Sequence, residues 1–508
     1  MTADDILRKL SFGVKKTKNA KKVNAHREKE ERALRLRVVP EDVKNALNQI
    51  SRLRRLNRMF AWGEKIPEPV LEWEDVDGMP VEIVASLQAD SIQVPTPIQM
   101  QAIPIMLHRR NLLASAPTGS GKTLAFSIPI ILDVLRTKKE GTSSAPPKKK
   151  KNKSDVEQKK KEESGISAIV LEPTRELAKQ TYRALVKTCA GLAVSVGMLA
   201  EGDESAAIHD IVVSTPNRVV HCLFSLSLSS LRWLVVDESD RLFDAIEGDD
   251  RCFRNQLGAI YRACSSPLTR RAFFSATFSY EVEQWCKENL DDVAMLCIGE
   301  RNSANTSVQQ ELIFAGSEQG KVVALRDLLS TQFTPPALVF VQSKERARQL
   351  MSALSFMATP VPAAFISSEK TPEESFRAGR VWVLVCTELL SRGLDLPAVN
   401  LVVNFDLPSS IVSYIHRIGR TGRAGRTGRS ITYFTEDDMA MVRPIAVVIS
   451  QAGGSVPEYT RTLKAPNKGD RKQAHKHAPK RNNIAMLKKR KFKDGPGKVE
   501  SKAAEQLA

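Results

Sequence analysis

Apolar residues in this chain gather into short unbroken runs separated by longer amphipathic stretches, and this rhythm occurs twice. The first series comprises Asn111-Leu-Leu-Ala114, Ala168-Ile-Val-Leu-Glu-Pro173, Asp210-Ile-Val-Val-Ser-Thr215, Leu234-Val-Val-Asp237 and Ala272-Phe-Phe-Ser275. The second comprises Ala337-Leu-Val-Phe-Val341, Val381-Trp-Val-Leu-Val385, Leu401-Val-Val-Asn404 and Ser430-Ile-Thr-Tyr-Phe434. Continuous β-branched runs without polar alternation predict parallel strands covered by helices on both faces. The stretches between them, such as Leu124 to Leu135, predict the covering helices. A connector near residues 301–308 separates the two series. The predicted class is therefore α/β, with two tandem doubly wound lobes and a ligand site in the cleft between them.

Composition fits this plan and adds basic extensions to it. The chain has 508 residues, 42% of them hydrophobic and 26% charged, enough to bury more than one core. The apolar stretch near 124–135 is too short to cross a bilayer, and Met1 to Leu10 carries Asp4, Asp5, Arg8 and Lys9 instead of a signal-peptide core. An intracellular protein is expected. The seven cysteines form no C-x-x-C or Cys/His cluster, which argues against a disulfide framework or a zinc site. Net charge is +18, but residues 1–60, 136–163 and 461–508 hold 43 of the 76 basic residues against 16 of the 58 acidic ones. The remaining body is net negative. Attraction to nucleic acid and nuclear or nucleolar targeting are favoured over merely solubilising tails. The predicted organisation is a basic extension at 1–60, lobe one at 61–300 with a flexible basic insert at 137–163, lobe two at 309–463, and a disordered basic tail at 464–508.

Candidate chemistry lies at the ends of the predicted strands. Ala116, Pro117, Thr118, Gly119, Ser120 and Gly121 lead from the strand at 111–114 to Lys122, Thr123 and a helix. A glycine-rich turn in that setting points backbone N–H groups at phosphate oxygens; Lys122 supplies a cation, and the Thr123 hydroxyl can ligate Mg²⁺. Asp237-Glu-Ser-Asp240 ends a later strand of the same series, so its carboxylates reach the same rim. Asp237 suits Mg²⁺ binding, and Glu238 suits activation of an attacking water.

With both motifs in place, the chain resembles a DEAD-box RNA helicase, with Asp-Glu-Ser-Asp for Asp-Glu-Ala-Asp. The resemblance runs from about Trp73 to Phe434 and implies two RecA-like lobes, ATP and Mg²⁺ as cofactors, and RNA as partner of a monomeric motor. Pro95-Thr-Pro-Ile-Gln99 resembles the Q motif, which implies adenine reading by Gln99 and adenine stacking by Trp73. Pro173, Thr174 and Arg175, with Thr215, Pro216 and Arg218, resemble the RNA contacts of lobe one. Ser275 and Thr277 resemble the motif coupling hydrolysis to closure. In lobe two, Gln342, Ser343, Thr387 and Arg392 resemble RNA contacts, and Gly393 and Asp395 resemble nucleotide contacts. His416 and Arg417 match the interlobe coupling element, and Arg420 and Arg423 match arginine fingers supplied across the cleft. Details such as Phe274-Ser-Ala-Thr-Phe-Ser279 and Ile298-Gly-Glu-Arg-Asn-Ser303 resemble the Rok-type subgroup, which implies pre-ribosomal RNA, small-subunit assembly and a nucleolar location.

Some segments depart from the family pattern. Leu199-Ala-Glu-Gly202 replaces a glycine pair, and Phe224-Ser-Leu-Ser-Leu228 is short. The stretch Ile366 to Phe376 lacks room for a whole helix, with Pro372 limiting it further. These departures keep a second reading open, an RNA-binding assembly factor with weak or degenerate ATPase; a third, a DNA translocase, is disfavoured by the motifs.

Overall fold

The computed structural model describes residues 41–143, 165–200, 209–240, 253–277, 280–299, 307–355, 361–366, 375–387, 399–422, 426–463, 481 and 483–484. Lobe one is built on strands β1 (Met59–Trp62), β2 (Asn111–Ser115), β3 (Ala168–Leu171), β4 (Val196–Met198), β5 (Ile211–Ser214), β6 (Trp233–Val236), β7 (Arg270–Ser275) and β8 (Val293–Ile298). They form one sheet in the order β1-β8-β2-β7-β6-β3-β5-β4. All its pairings are parallel except the edge pair of β1 with β8. Lobe two holds β9 (Val308–Gly316), β10 (Ala337–Val341), β11 (Ala363–Phe365), β12 (Val383–Thr387), β13 (Leu401–Asn404) and β14 (Gly428–Thr435). Its sheet runs β11-β12-β10-β13-β14-β9, parallel throughout.

The apolar runs become strands because both faces of each sheet are covered. Ala168, Val170, Ile211, Val213 and Val235 pack into one layer of lobe one, while Ile169, Leu171, Val212, Leu234 and Val236 pack into the other. Successive side chains point to opposite faces, so a strand with two buried faces needs an apolar residue at every position. Each such side chain contributes roughly 1.5–3 kcal/mol by leaving water. In lobe two, Ala337, Val339 and Val341 face one layer, and Leu338 and Phe340 the other. The polar residues that follow each run fall at the carboxyl rims of the sheets, where parallel α/β architectures present their loops. Among the described residues, no helix is long and apolar enough to cross a membrane.

Three boundaries differ from the sequence reading. Within the stretch assigned to a basic extension, Glu41–Leu56 is a helix, and β1, which begins at the end of that stretch, joins the sheet. Arg54 donates to Gln101 Oε1 and to the Pro67 carbonyl, each at 2.9 Å, which anchors that helix to lobe one. The flexible insert does not begin at 137, since the helix entered at Lys122 continues to Ser143. Its polar second half still reads as helix formers, and Lys138 pairs with Asp210 at 2.7 Å. The third difference lies in the tail, where Arg481 and Ile484 are packed into lobe two. Residues 1–40, the insert from 144 to 163, most of the tail and the short segment 367–374 lie outside the described residues.

Candidate active site

The phosphate loop follows β2, and its backbone is shaped by two glycines with positive φ, Gly119 at 77° and Gly121 at 91°. At Gly121 a side chain is excluded twice over. Its φ lies in the left-handed region, and an added Cβ would meet Gln99 Nε2 at 2.4 Å. Gln99 is 1% exposed and ties two motifs together: its Nε2 donates to the Gly121 carbonyl at 3.0 Å, and its Oε1 accepts from the Thr96 N–H at 2.8 Å. Thr96 completes a capping box with Gln99 at the start of Pro97–Leu107 and donates through Oγ1 to the Ser120 carbonyl at 2.7 Å. Lys122 opens the next helix, and its ammonium donates to the carbonyls of Ala116 at 2.9 Å and Pro117 at 3.3 Å. Thr123 follows it at the helix start, where free N–H groups and the helix dipole favour phosphate.

Trp73, expected to stack on a base, does something else. It is 1% exposed within the lobe-one core, and its Nε1 donates to the Ile92 carbonyl at 3.2 Å. A ring sealed in this way offers no face to a nucleotide, so the stacking assignment is corrected to a core role.

Beside the loop, β6 delivers the acidic turn. Asp237 is buried, its N–H donates to the Leu171 carbonyl at 3.0 Å, and its Oδ1 accepts from the Glu238 N–H at 2.9 Å. Glu238 has a φ of 48°, an uncommon backbone state for a non-glycine residue and one that concentrates at functional turns. Burial, and then the charge of Glu238, raise the Asp237 pKa to about 7 against the opposing pull of Lys122.

One further carboxylate went unnoticed in the sequence. Glu172 follows β3, whose Leu171 is registered with Val236 of β6, so Glu172 lies next to Asp237 at the adjacent strand end. It is 1% exposed; Oε1 accepts from Thr181 Oγ1 at 2.6 Å, while Oε2 has no hydrogen-bond partner. Burial and the negative charge of Asp237 raise its pKa well above the ordinary value. The available signal was strand parity: Ala168 and Val170 face one layer, so Glu172 faces it too, as does Asp237 after Val235. A testable consequence concerns stability in the absence of nucleotide and metal. A carboxyl with a raised folded-state pKa costs no stability below its unfolded pKa and progressively more as pH rises above it. Glu172→Gln is therefore expected to raise the melting temperature at pH 8 by on the order of a few degrees. That gain should vanish near about pH 4, and equal gains at both pH values would show that its charge is not the cause.

Across the cleft, lobe two meets these groups directly. Thr118 Oγ1 donates to the Gly419 carbonyl at 3.1 Å, and an added Cβ at Gly419 would fall 1.9 Å from that hydroxyl, so the approach requires glycine. His416 Nε2 lies 3.2 Å from Asp240 Oδ2 and 3.4 Å from Glu238 Oε2. Asp240 Oδ2 also accepts from Thr277 Oγ1 at 2.8 Å, while the Ser275 carbonyl accepts from the Ala116 N–H at 3.0 Å. Burial alone would raise the Asp240 pKa, but His416 and the Thr277 and Ser275 hydroxyls outweigh it and hold this carboxyl well below its usual range. Ser275, Thr277, Asp240 and His416 thus form one chain from the phosphate loop to lobe two. Arg417 is corrected as a coupling contact: it is buried, donates to the Asp406 carbonyl at 2.9 Å and lies over the Phe340 ring within lobe two. Arg420 follows Gly419, which puts its backbone beside the phosphate loop. Arg423, Arg392, Gly393 and Asp395 lie outside the described residues.

The comparisons with known proteins agree with this arrangement. Residues 96–285 match the DEAD/DEAH box helicase model, and residues 320–425 match the helicase conserved C-terminal domain. The probable ATP-dependent RNA helicase DDX52 of Rattus norvegicus is 44% identical over 462 residues, covering 87% of this chain and 72% of the relative. The chain belongs to the DEAD-box family of ATP-dependent RNA helicases. ATP-dependent RNA helicase ROK1 of Eremothecium gossypii is 32% identical over 84% of this chain and 74% of its own length, in keeping with the Rok-type subgroup. A single-residue variant of S. cerevisiae Dbp5 bound to RNA and ADP BeF3 has a TM-score of 0.59 at 25% identity, over 78% of this chain and 95% of that one.

The residues that resemble the DEAD-box RNA contacts fall along one rim in each lobe. Thr174 caps the helix Arg175–Thr188 by accepting from Leu177 N–H at 3.3 Å, with Pro173 just before it and Arg175 exposed. Thr215, Pro216 and Arg218 stand at the start of the helix Pro216–Cys222, after β5, the parallel neighbour of β3. In lobe two, Gln342 and Ser343 follow β10 while Thr387 ends β12, and Val341 is registered with Thr387. Ser343 caps its helix by accepting from Arg346 N–H at 3.2 Å.

Proposed function

We propose that this helicase acts on pre-ribosomal RNA during small-subunit assembly, in the nucleolus, and works as a monomer with Mg²⁺ as its metal. The Rok-type membership supports the substrate, and the lysine- and arginine-rich stretches support loose retention on a large polyanion. The observation that carries the motor reading is the pair of interlobe contacts, Thr118 with Gly419 and Asp240 with His416.

The donor set fits a hard divalent cation. Asp237 is a buried carboxylate whose charge is held back by burial and by Glu238, and Thr123 follows Lys122 at the start of the helix after the loop. Such a cation, bound with the triphosphate, would neutralise phosphate charge. In this reading Lys122 holds the β- and γ-phosphates and the loop from Ala116 to Gly121 cradles them through its N–H groups. Gln99 reads the adenine with whatever hydrogen-bonding capacity its two protein contacts leave, and Gly393 and Asp395 complete the nucleotide contacts. Glu238 takes the proton of the attacking water, while Arg420 and Arg423 stabilise the transferring phosphoryl group from lobe two. Because the set is divided between lobes, cleavage requires closure, and RNA bridging both rims favours closure. Contacts to phosphates and 2′-hydroxyls of one bent strand at Arg175, Arg218, Ser343, Thr387 and Arg392 open a few base pairs locally. The assembled loop, acidic turn and coupling chain support an intact ATP site over a degenerate one.

The test measures phosphate release by the full-length protein alone, with single-stranded RNA, and with DNA of the same sequence, alongside ultraviolet crosslinking of bound RNA in cells. RNA should stimulate turnover at least about tenfold more than DNA, and crosslinks should map to precursor ribosomal RNA. Equal stimulation by DNA would overturn the RNA-specific reading, absence of phosphate release the motor reading, and crosslinks confined to messenger RNA the ribosomal one.

A further inference from the structure

One buried carboxylate at the nucleotide rim belongs to none of the motifs that carry the helicase chemistry. Glu172 lies between β3 and the segment Pro173 to Arg175, and the main chain there is fixed on both sides: the Glu172 N–H donates to the Ser214 carbonyl at 2.9 Å, and the Leu171 carbonyl accepts from the Asp237 N–H at 3.0 Å. Neighbouring strands stand about 4.8 Å apart, and strand parity turns Glu172 and Asp237 to the same face. The two carboxylates therefore share one small space at the end of the sheet.

A carboxylate with only a structural task satisfies both of its oxygens. Thr181, itself 4% exposed on the covering helix Arg175–Thr188, holds Oε1 at 2.6 Å, while Oε2 has no hydrogen-bond partner although the residue is 1% exposed. An oxygen buried in this way is costly, more so when it carries charge, and marks a place for an ion or its water.

The balance of charge points the same way. Burial and the charge of Asp237 oppose ionisation of Glu172, Glu238 adds to them, and Thr181 and Lys122 counter. Glu172, Asp237, Glu238 and Asp240 set four carboxylates against Lys122 and, when protonated, His416. Two negative charges remain among these groups, the amount that a divalent cation carries. We propose that Glu172 is a further carboxylate of the divalent-cation site, sharing with Asp237 the positive charge of the ion and the water that surrounds it. This rests on the reading of Asp237 as a metal ligand. In this arrangement Thr181 orients Glu172 through its hydroxyl. The residues that resemble RNA contacts begin with the next residue, Pro173, so one short stretch of chain serves both the cation and the RNA rim.

The experiment titrates the full chain, without nucleotide, with Mn²⁺ as the probe. Free Mn²⁺ is read by electron paramagnetic resonance, and melting temperatures are measured on the same samples. Wild type should bind a Mn²⁺ ion that Asp237→Asn no longer holds. Glu172→Gln, which keeps the shape of the side chain, should raise the dissociation constant for that ion about ten- to a hundredfold. The higher melting temperature expected of this variant without metal should shrink towards the wild-type value as Mn²⁺ is added, because the ion offsets in wild type the charge that the substitution removes. Wild-type Mn²⁺ affinity in a folded Glu172→Gln protein, with Asp237→Asn deficient, would overturn the proposal while leaving Asp237 a metal ligand. Mn²⁺ binding that survives Asp237→Asn unchanged, or a wild type that takes up no Mn²⁺, would remove the reading of Asp237, and the proposal with it.

Discussion

Glu238→Gln is expected to cut ATP turnover by about 10²–10⁴-fold while prolonging the residence of RNA on the protein. The substitution keeps the shape of the side chain and removes its capacity to take a proton. It alters the 3.4 Å approach of Glu238 to His416 but leaves the other contacts between the lobes in place, since Thr118 meets Gly419 through a hydroxyl and a carbonyl, and His416 meets Asp240. Closure on ATP and RNA therefore still occurs, but the step that reopens the cleft does not. The left-handed backbone at Glu238 persists as well, because glutamine meets the same steric constraint at φ 48°. Phosphate release and the dissociation rate of labelled RNA in the presence of ATP are the two measurements. Turnover within about tenfold of wild type would assign the proton acceptor elsewhere, with Glu172 as the neighbouring carboxylate to examine.

The opposite outcome is expected at the phosphate loop. Lys122→Ala should reduce turnover by at least about 10²–10³-fold and should abolish the ATP-dependent lengthening of RNA residence. Lys122 is 8% exposed and donates to two loop carbonyls, so its loss removes both an internal brace and the cation proposed to hold the phosphates. It also opposes the raised pKa values of Asp237 and Glu172, so without it the carboxylates become harder to ionise and less able to take a cation. The two variants are thus distinguishable by RNA alone: one stays clamped with ATP, and the other responds to ATP no more than to its absence. RNA-stimulated turnover persisting in Lys122→Ala at near wild-type rates would remove the loop from the nucleotide site.

Much of this machine is written locally. The doubly buried strands are legible because an apolar residue is required at every position, and the rims are legible because polar residues follow each run directly. The glycines of the phosphate loop, the Thr96/Gln99 capping box and the acidic turn each act within a few residues, so spacing alone conveys them. Where the reading failed, the cause was a partner distant in sequence. Trp73 carries the right chemistry for a base platform, but it is enclosed by the lobe-one core, and the chain offers no sign of which aromatic will be covered. Arg417 sits in a basic motif beside His416, yet one turns into lobe two and the other across the cleft.

The sequence by itself determined the class of fold, the order of the two lobes and the identity of the phosphate-loop and acidic-turn residues, because these depend on periodicity and short-range backbone chemistry. Tertiary structure alone decided that Glu172 stands next to Asp237, that His416 reaches Asp240 while Arg417 stays in lobe two, and that Arg481 enters a buried network from the tail. Those placements depend on strand register and on charges brought together from segments as far apart as Glu318 and Arg481. Desolvation makes their pairing obligatory only once the chain has folded around them.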